Sequence, residues 1–190
     1  MERSYREAIE KEGVPYIITA LMECIEDIKL EDIELITDYK QQIQGIDYII
    51  KPNLYIDSKF HINKYKNTNK SYIPIEITKS NGLPGWGIDT NLSTHYILDF
   101  TMYHGYYLLD CHKLHSFMLN HYTEYPTIYN KNGEEGQKHT KAVPIKDLYK
   151  NNIIFEFYPW SNNMAIQKRK IENCLWYKKN IIPKLDKLIH

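Results

Sequence analysis

Two aspartates and a lysine carry the strongest chemical signal in this 190-residue chain. Asp47 and Asp57 flank Lys51-Pro52-Asn53 within the stretch Gly45 to Phe60, GIDYIIKPNLYIDSKF. Isoleucine and tyrosine favour strands and Pro-Asn favours a turn, so the stretch reads as a β-hairpin. With the turn centred on Pro52, the two aspartates stand opposite each other. Side chains so placed have Cβ atoms about 4.5–5.5 Å apart, and like charges there repel. A cation between them turns that cost into a binding site. Lys59 follows Asp57 by two residues, so a strand puts both on one face. Two carboxylates and one ammonium converge.

The elements around this hairpin mix helix and strand. Ser4-x-x-Glu7 forms a capping box and predicts a short first helix, interrupted by Gly13 and Pro15. Pro15 suits the first turn of a second helix, whose apolar face is Ile17, Ile18, Leu21, Met22 and Ile25. Ile33 to Asp38 alternates as a strand, and the polar Lys40 to Gln44 leads into the hairpin. Beyond it, Asn63 to Ser71, with Lys64, Lys66 and Lys70, reads as an exposed loop. Tyr72 to Thr78 alternates again as a third, hairpin-like strand and sets Glu76 among isoleucines. The glycines and proline of NGLPGWG mark a loop. Thr94 to Phe100 and Gly105 to Leu109 are apolar enough for central strands, and Cys111 to Tyr122 has helical spacing. Asn130 to Lys138 is a hydrophilic loop, Val143 to Leu148 a short element and Ile153 to Tyr158 a strand. Met164 to His190 is expected as one helix with a break or kink at Pro183. These elements predict a single domain over residues 1–190, with a core at about 14–125 and a C-terminal helix at about 164–190. The fold class is α/β (α+β).

Acid-x-Lys triplets occur at Asp27-Ile28-Lys29, Asp38-Tyr39-Lys40 and Asp57-Ser58-Lys59. Only the third lies in a predicted strand paired with a second acid. Asp47 followed by Asp57-Ser58-Lys59 resembles the PD-(D/E)XK nucleases, a superfamily that includes restriction enzymes, resolvases and phage exonucleases. The wider pattern is similar to phage- and mobile-element-type members: Asp38-x-x-x-Gln42-x-x-Gly45-Ile46-Asp47, Tyr55-Ile56-Asp57-Ser58-Lys59, Ile75-Glu76-Ile77, Gly85-Trp86 and Thr94-x-Tyr96. It covers Asp38 to Phe100, and Ile46 stands where the family motif has a proline. The resemblance implies a restriction-endonuclease-like αβββαβ core, a mixed central sheet flanked by helices. It implies Mg²⁺, or Mn²⁺, held by Asp47 and Asp57, a hard ion that prefers oxygen ligands. Lys59 would stabilise developing charge or help deprotonate the attacking water. A backbone carbonyl at Ser58 and the carboxylate of Glu76 are further candidate ligands, and Gln42 would orient a water or phosphate. An acid from the first helix, Glu23 or Glu26, is a further candidate. The implied activity is hydrolysis of the DNA backbone. The alternative is a catalytically inactive nuclease-fold protein acting as a DNA- or protein-binding assembly factor.

Composition bounds these readings. The chain is 43% hydrophobic and 25% charged, as expected of a soluble globular protein. No apolar run reaches membrane-spanning length, and the charged start MERSYREAIEKEG lacks a signal-peptide core, so a cytoplasmic location away from membranes is expected. The three cysteines, Cys24, Cys111 and Cys174, are odd in number and far apart, which suits reduced, buried thiols. Formal net charge is zero, but acids crowd the stretch before Asp38 and bases crowd the stretch after Gln167, where Lys168, Arg169, Lys170, Lys178, Lys179, Lys184 and Lys187 stand. A local field of that kind can steer a polyanion. Cys111, His112, His115 and His121 offer zinc-type ligands without a second pair at finger spacing. GLPGWG lacks the lysine of a phosphate loop. DNA is the expected partner, and a homodimer is compatible with the family.

Overall fold

Residues of period-two hydrophobicity build the centre of the protein. A computed structural model describes residues 2–59, 72–79, 81–89, 91–100, 105–128, 139–159 and 162–189. Helix α1 (Glu2–Cys24) precedes strands β1 (Ile33–Leu35), β2 (Tyr48–Ile50) and β3 (Leu54–Lys59), with the short helix α2 (Tyr39–Ile43) between β1 and β2. Strand β4 (Tyr72–Thr78) is followed by β5 (His95–Phe100), β6 (Gly105–Asp110) and helix α3 (Cys111–His121). Strands β7 (Thr127–Ile128) and β8 (His139–Pro144), helix α4 (Ile145–Lys150) and strand β9 (Ile154–Pro159) come next. Helices α5 (Asn162–Asn173), α6 (Leu175–Asn180) and α7 (Ile182–Ile189) complete the described chain.

The fold is mixed α+β, with a mixed central sheet and flanking helices. The six strands of that sheet run in the order β1-β2-β3-β5-β6-β9, with β3 and β5 parallel and the other neighbours antiparallel. Its two faces bury different cores. Ile56, Ile97 and Leu108 face α1 and the C-terminal helices, where they meet Ile18, Leu21 and Ile181. Tyr96, Leu98 and Leu109 face α3 and a three-stranded sheet of order β4-β8-β7, where they meet Ile73, Ile75 and Leu114. Adjacent residues Ile97 and Leu98 therefore point into opposite cores, as alternation along a strand requires. Among the described residues no helix is long and apolar enough to cross a membrane.

Four local expectations change. Helix α1 is continuous: Ser4 and Gly13 lie inside it, and so does Pro15. An interior proline costs about 3 kcal/mol. Full burial of one large aliphatic side chain returns about 1.5–3 kcal/mol, and Ile17, Ile18 and Leu21 are all buried to 1% exposure or less. Packing thus outweighs local propensity. The Glu76 strand, β4, does not extend the hairpin's sheet; it pairs antiparallel with β8, because Ile73, Ile75 and Ile77 cover the second face of the central sheet. The element expected from Val143 divides, with β8 ending at Pro144 and α4 beginning at Ile145. The closing segment is three helices rather than one. It breaks at Cys174 and Ile181, and Pro183 sits in the first turn of α7, where its missing N–H is not needed. The expected loops at Asn63 to Ser71 and Asn130 to Lys138 lie outside the described residues, as does His104.

Candidate functional site

The hairpin forms as expected around Lys51 to Asn53, with Ile50 paired to Leu54, Ile49 to Tyr55 and Tyr48 to Ile56. Asp47 lies one residue before β2 and is tied to both neighbouring strands. Its N–H donates to the Ile56 carbonyl at 2.9 Å, and its carbonyl accepts from the Ile36 N–H at 2.8 Å. Its carboxylate Oδ2 accepts from the Ser58 N–H at 2.8 Å and from Ser58 Oγ at 2.5 Å. A side-chain oxygen here does the work of a ladder carbonyl, which fixes the carboxylate at the margin of β3.

Asp57 sits in mid-strand on the face opposite Ile56, 3% exposed. Lys59 Nζ lies 2.5 Å from Asp57 Oδ2. Among the described residues the Lys59 ammonium is the partner of that oxygen. Burial pushes the Asp57 carboxyl up from its ordinary 3.8 to about 7; the charge and hydrogen bonding of Lys59 oppose the rise, while those of Asp47 add to it. Asp57 thus senses the charge of Asp47 directly.

The parallel register sets Asp57 beside Tyr96 and Lys59 beside Leu98. Lys59 Nζ stands over the Tyr96 ring, 5.5 Å from its centroid. Tyr96 Oη donates to the Trp86 carbonyl at 2.7 Å and accepts from Asn91 Nδ2 at 2.9 Å. His115 Nε2 lies 2.9 Å from Tyr96 Oη and 3.2 Å from the same carbonyl. Since the tyrosine proton goes to Trp86, the histidine carries its proton on Nε2 and donates. Burial holds His115 below its ordinary 6.5, in its neutral form. Trp86 packs edge-on against Tyr96 with centroids 5.2 Å apart.

This network also braces the approach to Asp47. Leu92 N–H donates to the Gln44 carbonyl at 3.1 Å, and Ser93 Oγ donates to the Gly45 carbonyl. Gly45 has φ +76°, and a Cβ there would fall 2.7 Å from Asn91 Nδ2. Only glycine meets both conditions without strain.

Asp47, Asp57, Ser58 and Lys59 therefore come together. The other expected residues do not join them. Glu76 alternates with Ile73, Ile75 and Ile77, whose side chains enter the core, so it occupies the outer face of β4. Gln42 Nε2 donates to the Ile36 carbonyl at 3.1 Å, securing α2 against the end of β1. Glu23 and Glu26 are exposed, and α1 packs on the opposite side of the central sheet from Asp57. Cys111 is fully buried, His115 belongs to the tyrosine network and His121 pairs with Glu124 at 2.8 Å, which disperses the zinc-type ligands. Among the described residues no three His, Cys, Asp or Glu side chains form a group able to hold a metal. The roles of Tyr96, Asn91 and His115 were not legible in the sequence. The available signal was a histidine on the otherwise apolar face of Leu114 and Met118, which requires a buried partner.

Compared with protein-family models, curated proteins and solved structures, the chain finds no match.

Proposed function

We propose that the chain is a metal-dependent phosphodiesterase that hydrolyses the DNA backbone, in the manner of the PD-(D/E)XK nucleases it resembles. The observation that carries this reading is Asp57, a buried carboxylate whose Oδ2 is met among the described residues by the Lys59 ammonium, beside the second carboxylate of Asp47. Taking a carboxylate out of water is costly, and buried carboxylates with a raised pKa concentrate at functional sites. A hard divalent cation fits the donor set: Asp47 and Asp57 offer oxygens, and the charge of Asp47 adds to the rise of the Asp57 carboxyl. Asp47 and Asp57 would hold Mg²⁺ or Mn²⁺. The chemistry such an ion supplies is polarisation of a phosphate oxygen and acidification of the attacking water.

The chain's own groups complete the proposal. Ser58 orients the Asp47 carboxylate through two hydrogen bonds. Lys59 brings a positive charge to meet the negative charge that develops on the phosphate. The order α1, β1, β2, β3 followed by parallel β5 supports a restriction-endonuclease-like core. It departs from the αβββαβ outline in the crossover, whose described part runs through β4 and the glycine-rich loop.

The test is cleavage of linear, circular, nicked and branched DNA with and without Mg²⁺ by wild type, Asp57→Ala and Lys59→Ala. Metal-dependent cleavage lost in both variants supports the reading. Absence of cleavage of any substrate, or equal cleavage by the variants, overturns it.

A second reading is a non-catalytic binding or assembly protein. Arg169, Lys170, Lys178 and Lys179 are exposed on α5 and α6, helices packed on the side of the sheet away from Asp57. Tight DNA binding that survives Asp57→Ala, without cleavage by wild type, would favour it.

A further inference from the structure

We propose that Tyr96 is a positioning residue, holding the Lys59 ammonium at Asp57 through the face of its ring; the consequence for rate rests on the phosphodiesterase reading. A lysine side chain has many rotamers, and that of Lys59 is 27% exposed. Two contacts restrain its end: the ion pair with Asp57 at 2.5 Å and the Tyr96 ring at 5.5 Å. The second is within the reach of about 6 Å over which a ring face attracts a cation.

The ring is built not to move. Tyr96 is fully buried, and the adjacent pairing of β3 and β5 sets its Cα beside that of Asp57. Three groups on three segments fix its hydroxyl: Asn91 in the loop before β5, the Trp86 carbonyl in the glycine-rich loop and His115 on α3. The hydroxyl is thus spent on anchoring, and only the ring face is left for Lys59.

The test uses reductive methylation with ¹³C-formaldehyde in metal-free protein, with Lys59→Arg assigning the Lys59 signal. A dimethylammonium above a ring face resonates upfield of exposed lysines. That shift is expected in wild type, retained in Tyr96→Phe and lost in Tyr96→Leu. In DNA cleavage, Tyr96→Leu should lower kcat about tenfold or more while KM stays within about twofold, since misplacement of a catalytic group acts on the chemical step. Tyr96→Phe should lower the melting temperature yet recover most of the kcat lost in Tyr96→Leu. A wild-type Lys59 signal at the exposed-lysine position overturns the proposal without any substitution. So does a retained upfield shift or wild-type kcat in folded Tyr96→Leu. If wild type cleaves nothing, the phosphodiesterase reading fails, while the upfield shift still decides whether Tyr96 holds Lys59.

Discussion

At the scale of single residues, Asp57 is held where its charge is least welcome. Its folded carboxyl titrates at about 7 rather than 3.8. Between those values the folded protein keeps a proton that the unfolded chain has released. Without metal, stability therefore falls as pH rises from about 4 to about 7 and levels off above. Thermal melts across that range should show the decline in wild type and a flatter profile in Asp57→Asn. Added Mg²⁺ should raise the melting temperature at pH 8 in wild type and not in Asp57→Ala, because a ligand that binds only the native state stabilises it. Ser58→Ala removes one of two bonds that orient Asp47 and should weaken metal affinity about tenfold by calorimetric titration, with little loss of stability. Asp47, Asp57 and Lys59 were legible because turn chemistry and strand alternation are local. Tyr96 was not legible as their neighbour, because its place beside Asp57 depends on a parallel pairing across a long crossover.

At the scale of elements, the glycine-rich loop shows how backbone contact fixes geometry. Gly85 N–H donates to the Ile77 carbonyl at 2.8 Å and Gly87 N–H to the Glu76 carbonyl at 2.9 Å, so the loop folds back onto β4. A Cβ on Gly85 would lie 2.4 Å from the Glu76 carbonyl oxygen, which cannot give way without moving the strand. Gly82, with φ +81°, has nothing within 4 Å of that position. Denaturant unfolding should assign Gly82→Ala a cost of about 1 kcal/mol from backbone strain alone. Gly85→Ala should cost more than twice as much, together with loss of the Trp86 contact read by near-ultraviolet dichroism. The loop was evident from its composition. That its glycines serve close approach to β4 required the pairing itself. Helix α1 shows the converse: Gly13 and Pro15 signal an ending that burial of Ile17, Ile18 and Leu21 overrides.

At the scale of the whole molecule, one sheet separates two apolar cores and joins them. Ile97 and Leu98 anchor one core each, at 1% and 0% exposure. Either substitution to alanine should cost about 2–5 kcal/mol and move the same single transition, with far-ultraviolet dichroism and tryptophan fluorescence coincident. Two separated transitions would show instead that the cores melt independently. Local signals in the chain account for the mixed class, most of the strands and the hairpin that brings Asp47, Asp57 and Lys59 together. Those features follow from alternation, turn residues and spacing, which act over a few residues. Tertiary structure alone decided that β4 joins a second sheet and carries Glu76 away on its outer face, and that Tyr96 lies under Lys59. It also decided that the basic C-terminal helices stand on the far side from Asp57. Each depends on which apolar faces meet, a choice made among segments far apart in the chain and settled by total burial rather than by any local pattern.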